Sequence, residues 1–409
     1  MQVLKNLNQA LTLKGAHEKK GRNLTPDDLG LIDRAAIVIE NEKILWVGIQ
    51  SELPEKYKNA EVIDCQGLVA TPEIVDSHTH VVFGGNRSEE YSMRLNGADY
   101  QEIAKAGGGI LSTMKMTRET SRDELFKKAC ESIERIHSYG VGTIEIKSGY
   151  GQTYEKEKEL TLIIDDLKKH FAPKIQIKNT YLAAHAVPKD YKSSKDYMNQ
   201  VVLPLFKELT EMNVLDAVDI FHEEGYFSTE DTRALFDLAT ERNVAVKSHA
   251  DEFVDNLGAI LACEYGALST DHLLATTDDG IKKLSESSTV ATLLPGTGYF
   301  LGKSQASARK FLDGGCQVAI ASDYNPGSCH CDNLPLIASL AAPNLKLNQT
   351  ELWAAITLNT SHALGLKDQG ALVPGLKSRI SLFECENLHE ITYFWGRNFF
   401  KKHVFKEEI

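Results

Sequence analysis

Ile74-Val75-Asp76-Ser77-His78-Thr79-His80 is a short apolar run that passes directly into two histidines. Seven more runs of this kind follow. They are Thr143-Ile144-Glu145-Ile146, Ile175-Gln176-Ile177, Ala217-Val218-Asp219-Ile220-Phe221 and Val244-Ala245-Val246, then Ala267-Leu268-Ser269, Val290-Ala291-Thr292-Leu293 and Gln317-Val318-Ala319-Ile320-Ala321. Longer stretches of helical spacing separate them, among them Asp123 to Ser138, Glu155 to His170 and Thr229 to Asn243. Strands alternating with helices imply right-handed crossovers and a parallel sheet. Eight such units predict a (β/α)8 barrel more readily than an open sheet.

The flanks read differently. Ala35 to Glu40 and Ile44 to Gly48 lie either side of Asn41-Glu42-Lys43 and predict a hairpin. Val62-Ile63-Asp64 and Leu68-Val69-Ala70 flank Gly67 and predict a second. Near the other end, Arg379-Ile380-Ser381-Leu382-Phe383 alternates in polarity as a strand does. The expected organisation is α/β: residues 1–70 and 366–409 make one small β domain, and residues 71–365 make the barrel.

The 409 residues are 42% hydrophobic and 25% charged, which suits a large buried core and excludes wholesale disorder. A formal net charge of −12 repels phosphate backbones and anionic membrane surfaces, so neither nucleic acid nor membrane is an expected partner. No apolar stretch is long enough for a membrane span, and no signal-peptide core follows Met1. Seven scattered cysteines suit reduced thiols and a cytoplasmic setting.

Polar residues gather where the runs end: His78 and His80, Tyr150, His185, His222-Glu223-Glu224, His249 and Glu252, Asp271 and His272, and Asp323. Barrel active sites form at these strand ends, so the residues should converge on one mouth. His78 and His80 are spaced to face the same side of an extended chain. With 13 histidines, His-x-His arises by chance about 0.4 times in such a chain, so placement carries the weight. His249 and Asp323 complete a mixed imidazole and carboxylate set suited to zinc or iron, with room for a water that the ion would acidify.

Glu252, three residues beyond His249, is placed to move a proton between that water and a leaving nitrogen. His272 suits stabilisation of an oxyanion. In Lys147-Ser148-Gly149-Tyr150-Gly151 the glycines let backbone approach a ligand. Arg87, in Gly84-Gly85-Asn86-Arg87, suits a substrate carboxylate. Gly107-Gly108-Gly109 lacks the lysine and hydroxyl of a phosphate loop and reads as a loop near the mouth. Cys329-His330-Cys331 reads as an incidental loop cluster and not a zinc site.

These segments resemble the amidohydrolase superfamily and, within it, the imidazolonepropionase family. The resemblance rests on Val75 to Arg87, Gly107-Gly108-Gly109-Ile110, Glu145 to Gly151, Ala183-Ala184-His185-Ala186-Val187-Pro188, Ser248 to Glu252, Thr270-Asp271-His272-Leu273, and Ser322 to Ser328. Lys-Ser-Gly-Tyr-Gly and Asp-Tyr-Asn-Pro-Gly-Ser carry the narrower likeness. It implies a distorted (β/α)8 barrel with a small β-sandwich domain formed by both chain termini, as a cytoplasmic homodimer. It implies one divalent or trivalent metal ion per subunit, zinc or iron, held by His78, His80, His249 and Asp323. The implied substrate is 4-imidazolone-5-propanoate, opened by water to N-formimidoyl-L-glutamate in histidine degradation. Arg87, Tyr100, Tyr150, His185, Glu252 and Ser328 would contact substrate, and Asn325 and Gly327 the product. Glu252 and His272 would be the acid–base and polarising groups, with Glu252 or Asp323 passing the proton to nitrogen.

The chain departs from the family pattern at Glu73, where glycine is usual, at His222, where cysteine is usual and the pocket floor should change, and around Ser378-Arg379-Ile380. Two other readings stand beside this one: an aminohydrolase of a purine or pyrimidine on the same fold, and a non-catalytic barrel serving as an assembly module.

Overall fold

The computed structural model describes residues 1–98, 102–103 and 107–404. Tyr100 falls outside them.

Both chain ends build one seven-stranded mixed sheet from β1 (Gln2–Leu11), β2 (Leu31–Glu40), β3 (Lys43–Ile49), β4 (Glu61–Asp64), β5 (Val69–Pro72), β15 (Ile380–Phe383) and β16 (Phe400–Val404). The hairpin expected around Asn41 is present: β2 and β3 pair antiparallel, and Asn41 and Glu42 both take positive φ at its turn. The second expected hairpin is not. β4 and β5 do not pair with each other; both run parallel to β1, β4 along Gln2 to Lys5 and β5 along Gln9 and Ala10. The reason is an irregularity in β1, where Asn6 has a φ of 58° and the register shifts between Leu4 and Leu7. The link between β4 and β5 crosses at that point, with the amides of Cys65 and Gly67 donating to the carbonyls of Lys5 and Asn6. Hydrogen bonding thus runs through both halves of the terminal domain, and β15 joins the C-terminal segment to it antiparallel to β5.

The central sheet is parallel throughout. It runs from β6 (Ile74–Asp76) through β7 (Val141–Lys147), β8 (Gln176–Ala184), β9 (Ala217–His222), β10 (Ala245–Val246) with β11 (Ser248–Ala250), β12 (Ser269–His272) and β13 (Val290–Leu293) to β14 (Val318–Ile320). Every expected run forms a strand. The sixth begins at Ser269 because Gly266, at positive φ, and Ala267 are still closing the turn after the helix Gly258–Glu264. The fifth is split at Lys247, part of the barrel's distortion. First and last strands meet: the amide of Asp323 donates to the His78 carbonyl at 3.0 Å, and that of His80 to the Tyr324 carbonyl at 2.9 Å. These bonds bring the ends of β6 and β14 together at the level of the histidines.

The predicted helices appear as Arg122–Ser138, Tyr154–Phe171 and Thr229–Glu241. Ser121, Thr153 and Ser228 cap them, each accepting from a backbone amide of the first turn. The main apolar cluster joins the barrel to Leu11, Leu13, Ala16 and Leu24, so the N-terminal segment shares the barrel's core. No helix among the described residues is long and apolar enough to cross a membrane, and all seven cysteines are free.

Candidate active site

His78 and His80 follow β6 in an extended segment, His249 lies in β11, and Asp323 follows β14 with a φ of 50°. The ligand atoms of His78, His80 and His249 all lie within 4.8 Å of one another, and all three residues are buried. Asp323 Oδ1 stands 3.5 Å from His78 Nε2 and 3.6 Å from His80 Nε2. Its other oxygen accepts the Thr297 hydroxyl at 2.9 Å. Nε2 of His78 and of His249 are buried without a hydrogen-bond partner, a costly arrangement for a polar atom. Burial holds the His78 and His80 imidazoles well below their usual range, which keeps them neutral with lone pairs free. This donor set fits a metal ion, and the three histidines form a metal-binding triad.

Two of the outer nitrogens face buried carboxylates. His78 Nδ1 meets Asp271 Oδ2 at 2.6 Å, and His249 Nδ1 lies 3.1 Å from Asp219 Oδ2. Such carboxylates orient a ligating imidazole and fix its tautomer. Asp271 and His272 are neighbours in β12 and so face opposite ways, Asp271 beneath the histidines and His272 into the cavity.

A cavity of about 520 Å³ opens above the triad. Its lining includes Arg87, Tyr150, His185, Glu252, His272, Asn325, Gly327 and Ser328 beside His80, His249 and Asp323. The structure therefore gathers every described candidate at one mouth; His78 lies just below it, fully buried. His185 stacks on His80, with centroids 5.0 Å apart, and burial lowers its imidazole to about 3. Burial, followed by the charge of Asp323, raises the Tyr150 phenol, which stays a neutral donor. Glu252 Oε2 lies 3.6 Å from His272 Nδ1.

Compared with known proteins, the chain is 41% identical over 400 residues to an imidazolonepropionase of Bacillus mycoides and 42% identical to one of Bacillus cereus. Both alignments cover 96% of this chain and 93% of the relative. The chain belongs to the imidazolonepropionase family. A relative from Bacillus velezensis is 38% identical over 398 residues, covering 97% and 93%. No protein-family model matches the chain. Among solved structures, an atrazine chlorohydrolase from Arthrobacter aurescens TC1 complexed with zinc superposes with a TM-score of 0.71 at 16% identity, covering 99% of this chain and 94% of that one. Guanine deaminase from C. acetobutylicum gives 0.69 at 17%, covering 98% of each. At those identities the likeness is one of fold alone.

As an imidazolonepropionase, the chain is a hydrolase of a cyclic amide C–N bond, and its loops explain how the mouth is kept in shape. One acceptor side chain ties down each of three loops. Glu157 accepts from the amides of Gly149, Gly151 and Gln152 at 3.1, 2.6 and 2.8 Å and so holds the Tyr150 loop. Glu223 accepts from the amides of Glu252, Phe253 and Val254. Asn325 Oδ1 accepts from the amides of Gly327 and Ser328, both at 2.8 Å, while its Nδ2 donates to the Asp323 carbonyl. Arg87 donates through Nε and Nη2 to Glu90, and a Cβ on Gly327 would fall 1.9 Å from its Nη1. Glycine at 327 is what lets that guanidinium pass.

Two expectations need correction. His222 is not on the pocket floor: in β9 Phe221 faces the cavity, so His222 faces away and its Nε2 meets Thr229 Oγ1 at 3.1 Å. Lys147, read with the substrate loop, is fully buried below the triad. Glu73 meets Arg379: the guanidinium forms an ion pair with it through Nε to Oε1 and Nη2 to Oε2, both at 2.6 Å. The interior charges Glu145, Asp219 and Lys247 escaped sequence reasoning as functional groups. For Glu145 and Asp219 a signal was present, since a charged residue within an apolar strand run points to a barrel interior.

Proposed function

We propose that the protein opens the ring of 4-imidazolone-5-propanoate with water, giving N-formimidoyl-L-glutamate, at one metal ion per subunit held by His78, His80, His249 and Asp323. Three imidazoles and a carboxylate suit zinc or iron. An ion bound there supplies Lewis acidity and makes water acidic enough to act near neutral pH.

The chain's own residues do the rest. Arg87 holds the propanoate carboxylate, with its guanidinium set by Glu90. Tyr150, His185 and Ser328 contact the ring and orient its carbonyl, and Tyr100 takes the same part from outside the described residues. Glu252 removes a proton from the attacking water, whose oxygen bonds to the ring carbonyl carbon. His272 donates to the oxyanion that develops. The carbon–nitrogen bond then breaks, its electron pair staying on nitrogen, and Glu252 returns the proton there. Asn325 and Gly327 hold the new carboxylate. The reading extends to a cytoplasmic homodimer, which sedimentation of the purified protein would test.

The observation that carries this reading is the gathering of Arg87, Tyr150, His185, Glu252 and His272 over the histidine triad, in a chain 38–42% identical to imidazolonepropionases. The test is turnover of imidazolone propanoate by protein stripped of metal and then reloaded. Activity should vanish with the chelator and return with zinc or ferrous ion. A reloaded protein that leaves this compound intact but deaminates guanine or cytosine would overturn the proposal.

A further inference from the structure

Five charged side chains lie beneath the histidines with no exposure at all: Glu145, Lys147, Asp219, Lys247 and Asp271. Lys147 Nζ donates to Asp219 Oδ2 at 2.6 Å and stands 2.9 Å from Glu145 Oε2. Lys247 Nζ donates to that same glutamate oxygen and to the Ser77 carbonyl, both at 2.9 Å. Both ammoniums also face Asp271 Oδ2, at 3.8 and 4.0 Å. The carboxylate oxygens they face are the ones that engage the ligand imidazoles: Asp219 Oδ2 for His249 and Asp271 Oδ2 for His78. Lys247 further anchors the peptide carbonyl next to His78.

Stability alone does not call for this cluster. Desolvating charges is expensive, and apolar side chains of similar volume commonly serve as well or better. What the cluster does is fix two carboxylates in place. Without the ammoniums, Asp219, Asp271 and Glu145 would repel one another in a dry interior, and the two aspartates could not stay on the imidazoles.

We propose that Lys147 and Lys247 are positioning residues of the metal centre, coupled through Glu145, which hold Asp219 and Asp271 so that His249 and His78 aim Nε2 at one ion. Neither lysine touches substrate. The inference rests on the histidine triad and not on the identity of the substrate, so it survives or fails independently of the ring-opening reaction.

The test uses Lys247→Met and the charge-matched double variant Lys147→Met/Glu145→Gln, which leaves Asp219 and both histidines intact. Zinc affinity is measured by competition with a chromophoric chelator. The d–d spectrum of cobalt-loaded protein reports ligand geometry, and melting of the metal-free protein reports the fold. The expected result is a zinc affinity about 10- to 100-fold lower in each variant, with a changed cobalt spectrum; metal-free melting falls in Lys247→Met, which strands buried carboxylates, and changes little in the charge-matched double variant. Affinity within about twofold of the parent and an unchanged spectrum would overturn the proposal. So would a double variant that fails to fold, or that loses zinc only in step with metal-free stability, because the lysines would then serve the fold alone.

Discussion

At the scale of single residues, the proposed reaction separates a group that moves a proton from groups that hold the substrate. Glu252 faces the cavity and approaches His272, but it is not part of the triad. Glu252→Gln should keep its metal content and lose about 100- to 10,000-fold in kcat, the usual share of a general acid–base. Metal analysis beside steady-state kinetics checks this, and near-normal turnover would remove Glu252 from the mechanism. Arg87 is different, since in the proposed reaction its guanidinium meets a part of the substrate that does not react. Arg87→Met should raise KM about 10- to 100-fold, the loss of a charged hydrogen-bonded contact, with a smaller effect on kcat. His362 gives a residue-scale pH effect away from the site. Burial lowers its imidazole to about 4, so the unfolded chain takes up a proton below the ordinary histidine range that the folded chain refuses. Its contribution to stability is complete at neutral pH and lost as the pH falls from about 6.5 towards 4. Urea midpoints across that window should fall less steeply in His362→Asn than in the parent.

At the scale of elements, the support of each mouth loop by one acceptor predicts large effects from residues that touch no substrate. Glu157→Ala would leave three amides of the Tyr150 loop unsatisfied, at about 1–3 kcal/mol each where buried. Hydrogen exchange should show this loop opening, with the barrel strands protected as before. The same scale shows what was legible in the sequence. The eight runs were, because apolar strands between amphipathic helices leave a periodic trace, and so were the strand-end residues, because the barrel brings them together. The pairing of β4 and β5 was not. Local spacing around Gly67 suggests a hairpin, whereas one positive-φ residue at Asn6, sixty positions away, decides that both strands join β1. Lys147 escaped for a related reason. It opens the glycine loop in sequence but ends β7 in space, facing inward. Phe221 and His222 make the same point, since neighbours in a strand face opposite ways and a substitution beside the pocket leaves its floor alone.

At the scale of the whole molecule, Glu73 and Arg379 join the barrel to the terminal sheet. Glu73 is buried and also accepts from Thr143, while Arg379 donates through Nη2 to the Gly142 carbonyl. Arg379→Met would strand the carboxylate, at a cost of about 3–5 kcal/mol. Adding Glu73→Gln should recover much of that loss, and urea unfolding of the single and double variants measures it. Glu73 and Arg379 thus read as one mutually compensated pair. The bonds between Asp323 and His78, and between His80 and Tyr324, have a consequence at this scale as well. They are the seam of the barrel, where the first strand is stitched to the last, and three of the four proposed ligands sit on it. An ion held there is a rivet through the join: chelation should loosen the cylinder along that line, with amide exchange at His80 and Asp323 quickening well before the opposite wall responds.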